Sequence, residues 1–96
     1  MMIRPDRWVI VEWTKDGNSF RKALVGFTNS QSWELSHIID TIEDRDDYWE
    51  VYVRDGTMYK CMRHLQGMTA DMNKVYNDIV KKATKDKEIM VGILSI

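Results

Sequence analysis

Cysteine and proline occur once each in this chain, glycine five times. One cysteine closes no internal disulfide, which fits a reducing compartment. Neither sign of charge is in excess: 14 Lys and Arg against 15 Asp and Glu leave a formal charge of −1. Extended nucleic acid, whose phosphates call for a cationic excess, is therefore not the expected partner. Long hydrophobic runs are missing too. The longest, Ile89 to Leu94 with Gly92 inside it, is far short of a bilayer span. Arg4, Asp6 and Arg7 break up the N-terminus, so no secretory leader is expected. No P-loop, GxGxxG or HExxH pattern occurs.

What is present is ordinary globular composition, 44% hydrophobic and 30% charged, over 96 residues. That length supports one modest core, so residues 1–96 are expected to form a single globular domain. Seven methionines and four tryptophans suit large apolar contacts, within a core or between subunits.

Trp8 to Thr14 and Phe20 to Phe27 are dense in β-formers, and Asp16-Gly17 between them suits a tight hairpin. Pairing about that turn sets Trp13 opposite Phe20, Val9 opposite Leu24 and Trp8 opposite Val25, which leaves both faces largely apolar. Tyr48 to Arg54 and Thr57 to Arg63 form a second hairpin. A two-residue Asp55-Gly56 turn would pair Val53 with Met58, Trp49 with Met62 and Tyr52 with Tyr59.

Residues 69–84 predict the one helix. Met72, Val75, Tyr76, Ile79, Val80 and Ala83 recur at helical spacing, and Thr69 is its N-cap. EIMVGILSI, residues 88–96, reads as a last strand buried on both faces, returning beside the N-terminal one, since both look too apolar for an open edge. Ser32 to Glu43 fits either a helix stripe or two short strands turning at Ser36-His37, and the flanking meander favours strands. The expected fold is α+β: a mostly antiparallel, twisted sheet of five or six strands with the helix on one face.

Cys61 and His64 invite a catalytic or metal reading. In a strand, residues three apart face opposite sides. A metal site needs three or four ligands and the only other histidine is His37, while a thiol enzyme needs a base and an orienting group where the sequence offers only Glu50 across the hairpin. The run Glu43 to Asp47 lacks the glycine and late glutamate of a calcium loop. No metal, cofactor or enzymatic activity is expected.

The second hairpin's outer face is more informative. Under the expected register the helix covers the Trp49, Val51 and Val53 side and leaves Tyr48, Tyr52, Arg54, Tyr59 and Arg63 facing away. Tyrosine and arginine anchor protein interfaces, and they also stack on bases and grip phosphate. Cross-strand stabilisation alone is an equal alternative. Trp33 and His64 are candidates at its margins. One helix cannot cover both apolar faces of the first hairpin, so a homodimer or higher homo-oligomer is expected.

The segments RPDRWV (4–9), SWEL (32–35), DDYW (46–49), GTMYKC (56–61) and GMT (67–69), in that order, resemble a group of small proteins of uncertain function encoded by large tailed bacteriophages. The group's strand-rich N-terminal part, tyrosine-x-cysteine strand and C-terminal helix and strand match the reading above. LSHIID departs from the glycine-bearing turn of that group, which weakens the two-strand reading there. The resemblance implies a protein that acts in the host cytoplasm by binding a host protein or a small anionic, nucleotide-like ligand to counter antiviral defence. A virion structural or assembly component, or a thiol-dependent enzyme using Cys61, is the alternative.

Overall fold

A computed structural model describes residues Met1–Ile96. Seven strands and one helix follow in the order β1 (Met2–Ile3), β2 (Arg7–Lys15), β3 (Asn18–Phe27), β4 (Ser32–Asp44), β5 (Tyr48–Val53), β6 (Met58–Met62), a 3-10 turn (Arg63–Leu65), α1 (Ala70–Thr84) and β7 (Ile89–Leu94). They form one sheet ordered β1-β6-β5-β4-β3-β2-β7. All pairings are antiparallel except that of β1 with β6. The α+β class and antiparallel sheet are as expected, and the strand count is higher. Two-residue β1 is the strand not anticipated, and the two short strands favoured over 32–43 are one unbroken β4.

The first hairpin has the expected register, with Trp13 opposite Phe20, Val9 opposite Leu24 and Trp8 opposite Val25. Asp16 and Gly17 both take positive φ, 52° and 79°, the two-residue turn whose twist matches the strands. β7 pairs with β2 as anticipated, yet lies at the end of the sheet rather than inside it.

Residues 32–44 are one strand, and no chain reversal occurs at Ser36-His37. Instead the register slips there: Lys22 pairs with Ile38 and Leu24 with Leu35, so Ala23 faces two residues. The buried Ser36 hydroxyl accepts from Ala23 N–H (2.8 Å) and donates to the His37 carbonyl (2.7 Å), replacing ladder bonds that the bulge removes. A second slip follows at Asp40, between the Ile39–Val53 and Thr41–Tyr52 pairs.

The two bulges bend β4 and curl the sheet upon itself. β2 and the end of β6, each next to the last strand on its side of the sheet, meet where Gly67 N–H donates to the Trp8 carbonyl (2.9 Å) and the Trp8 indole N–H donates to the Met62 carbonyl (2.6 Å). Inside the curl, Trp8, Ile10, Ala23 and Val25 pack against Val51, Val53, Tyr59 and Cys61. On the exterior, Val9, Val11 and Leu24 pack against Met72, with Val75, Tyr76 and Leu35 around them. α1 starts where Thr69 Oγ1 accepts from Met72 N–H (3.2 Å), and it lies over β7, β3 and the start of β4. It does not cover the second hairpin, contrary to expectation. The two apolar faces of the first hairpin are covered within one chain, by the helix outside and by β5 and β6 inside. A partner subunit is not needed for that purpose.

Candidate binding surface

The second hairpin is displaced by one residue from its expected register. Val53 N–H donates to the Thr57 carbonyl (3.0 Å) and Gly56 N–H to the Val53 carbonyl (3.1 Å), so the loop is Arg54-Asp55-Gly56. Gly56, at φ 91°, takes the left-handed position of this three-residue turn. Tyr48 then faces Met62, Glu50 faces Lys60, Val51 faces Tyr59 and Tyr52 faces Met58. A slip of one residue turns one strand over relative to the other.

The expected tyrosine–arginine face is accordingly split. Tyr59 points into the curl, 2% exposed, and its hydroxyl donates to Glu34 Oε1 (3.0 Å). Burial, then the bond to Glu34, pushes its phenol well above the ordinary range. Arg54 sits in the loop and donates from Nε and Nη2 to Asp40 Oδ1 (3.3 Å each). Arg63 lies past the strand end, its guanidinium 4.1 Å from the Trp49 ring centroid, with Nη2 donating to Asp44 Oδ1 (2.6 Å) and Nε to the Asp46 carbonyl. Trp33, 47% exposed, stands on β4 opposite Gly26, toward the helix side. His64 is exposed on the 3-10 turn. Of the seven candidates, only Tyr48 and Tyr52 share the hairpin's exterior row.

That exterior row is Tyr48, Glu50 and Tyr52 on β5 with Met58, Lys60 and Met62 on β6, every one half-buried. The acidic run at Glu43 to Asp47, exposed throughout, ends β4 and turns beside this row. Asp46, at φ 68°, donates its N–H to Asp44 Oδ1 (2.8 Å), and Arg45 N–H donates to the Tyr48 carbonyl (2.9 Å). This turn folds Arg45 back so that Nε donates to Glu50 Oε1 (2.7 Å) and Nη2 to Glu43 Oε2 (2.6 Å). Tyr52 O–H donates to the same Glu50 oxygen (3.1 Å), and Lys60 Nζ lies 4.4 Å from the Tyr48 ring centroid. Arg45 holds the Glu50 carboxyl below its ordinary value, while the Glu50 carboxylate raises the Tyr52 phenol. The expected register put Met58 and Met62 on the other face, and the turn at Asp44 to Asp46 has no apolar periodicity to mark Arg45, so sequence patterning missed all three members of this surface.

Cys61 is wholly buried, and burial pushes its thiol up to about 12. It does not approach the exposed His64. No group of three His, Cys, Asp or Glu side chains is arranged to hold a metal ion, and no helix is long and apolar enough to cross a membrane. A separate cleft of about 360 Å³ lies at the first hairpin's tip, lined by Trp13, Phe20 and Ile89, with the Trp13 and Phe20 rings stacked at 5.0 Å. No protein-family model, no curated protein and no solved structure matches this chain.

Proposed function

We propose that this chain is a small non-enzymatic binding protein that docks a host protein on the exterior row of β5 and β6. The observation that carries this reading is charge satisfaction within the row. Arg45 is shared between Glu43 and Glu50, and Lys60 rests on Tyr48, so what remains to offer is tyrosine and methionine surface held on rigid strands. Such surfaces favour protein contacts, in which a few aromatic anchors carry most of the free energy. A small anionic ligand is the weaker reading, because Arg54 and Arg63 already face Asp40 and Asp44. A thiol enzyme is disfavoured by a buried Cys61 whose thiolate is costly to form.

The phage resemblance supplies the setting: an infected bacterial cytoplasm and a component of host defence as target. Immobilised protein should retain a host protein from infected lysate, and the purified partner should bind at least about 30-fold more weakly after Tyr52→Ala, as an interface anchor does. Tyr76→Ala, on the helix, should leave that affinity unchanged. Equal binding by wild type and Tyr52→Ala would overturn the reading, and co-purification of the chain with intact virions would favour the structural alternative.

A further inference from the structure

The two ends of the sheet are not alike. β1, at one end, is only two residues long, a length that offers almost no template for another strand. β7, at the other, runs six residues as IMVGIL, with no lysine, glutamate, proline or bulge to discourage pairing. Met90 is 72% exposed and Ile93 42% exposed on it. Covering the sheet faces within the chain therefore leaves one long apolar edge uncovered.

The direction of the free backbone groups follows from the first hairpin. In its two-residue turn Lys15 and Asn18 form the terminal hydrogen-bonded pair, so odd-numbered residues of β2 bond toward β3 and even-numbered ones bond away from it. The Trp8 carbonyl, which accepts from Gly67, agrees with this alternation. Thr14, Glu12 and Ile10 face Met90, Gly92 and Leu94, so these three residues of β7 bond inward to β2. Val91 and Ile93 then point N–H and C=O outward. Ile89 does likewise, with its N–H held by the Asp86 carbonyl (3.1 Å).

We infer that β7 pairs antiparallel with β7 of a second copy across a two-fold axis at Val91, joining two sheets into one. The self-match of the edge is the reason for choosing a second copy as occupant. Centred on Val91, the pairing sets Val91 beside Val91 of the partner subunit and joins outward groups only to outward groups. Ile89 falls beside the partner's Ile93, continuing one apolar row. On the other face, Met90 falls beside the partner's Gly92, where a β-carbon would meet nothing within 4 Å. The protruding side chain and the gap lie two residues apart on one strand, so the two-fold fills both gaps at once. This interface uses the opposite end of the sheet order from β6 and is independent of the exterior row on β5 and β6.

The test reads mass and amide exchange on the full chain. Light scattering from about 1 to about 100 μM should show the mass rising toward twice that of the chain, the range in which a modest dimer appears. Val91 and Ile93 amides should gain protection with concentration, at least tenfold, while Met90, Gly92 and Leu94 are protected throughout by β2. Val91→Pro removes an outward N–H and leaves the ladder to β2 intact, so it should yield a folded monomer. Ile93→Lys, at an exposed position, should do the same and decides the matter if the proline variant does not fold. Two results would overturn the inference. One is a wild-type chain that stays monomeric with freely exchanging Val91 and Ile93 amides, which would leave the edge to a strand of another protein. The other is a dimer whose strength neither variant changes.

Discussion

The indole N–H of Trp8 donates to the carbonyl of Met62 at 2.6 Å, joining residues 54 apart in sequence where β2 and β6 of the curled sheet meet. Trp8 itself is fully buried among Ile10, Val25 and the β5–β6 residues. This one side chain thus fills the interior and bonds the strand that closes it.

Trp8→Phe keeps an aromatic ring but leaves the Met62 carbonyl without its donor and a small void beside it. It should cost about 2 kcal/mol, combining a lost hydrogen bond with partial loss of packing. Trp8→Ala should cost about 3–5 kcal/mol. Urea denaturation followed by circular dichroism measures both.

Gly26 lies under α1, where a side chain's first carbon would stand 2.6 Å from Met72 Sδ and 3.2 Å from Thr69 Cγ2. Its φ is not the reason for glycine here; a β-carbon at this position would require the Met72 side chain to shift. Gly26→Ala should destabilise by about 1–3 kcal/mol, the usual cost of overpacking. Met72→Ala alone should cost about 2–5 kcal/mol. The double variant should cost less than the sum, since each substitution relieves the other.

Alkaline pH should destabilise the fold through its interior. Cys61 and Tyr59 both hold their protons more tightly when folded than their ordinary values of 9.0 and 10.0. The unfolded chain releases those protons first, so stability is fully present below pH 9.0 and declines as the pH rises toward about 12. Cys61→Ala should flatten the early part of that decline. At pH 8, alkylation of Cys61 should require unfolding and report the opening rate.

Glu50 offers a local check on the exterior row. Its lowered pKa arises first from the Arg45 hydrogen bond, so this contribution is present above its ordinary 4.5 and lost as pH falls through the folded value. Arg45→Met should return the Glu50 pKa toward 4.5, and Glu50→Gln should lower that of Tyr52 toward 10.0. Side-chain NMR titration reads both shifts. An unchanged Glu50 in Arg45→Met would show that the pair does not form in solution.

Elements with local causes were readable along the chain. Asp16-Gly17 set the first hairpin because two adjacent positive-φ residues admit one register, and Thr69 with the 3.6-residue apolar spacing set the helix. The strand character of 32–44 was legible, while its continuity was not: whether Ser36-His37 turns or bulges depends on Ala23, thirteen positions away, donating to the Ser36 hydroxyl. Asp55-Gly56 resembles Asp16-Gly17 as a dipeptide, yet there the glycine closes a three-residue loop. That single step sent Tyr59 inward and brought Met58 and Met62 outward beside Tyr52 and Tyr48. The site's composition therefore rested on a turn whose alternatives local preference hardly separates, and only the packing of Val51, Val53 and Cys61 against Trp8 and Ile10 decided between them. The curl was decided in the same way. Both faces of the first hairpin were readable as apolar, but that β4 would bend enough to cover one of them with the chain's own second hairpin is a property of long-range contacts, which no stretch of sequence carries alone.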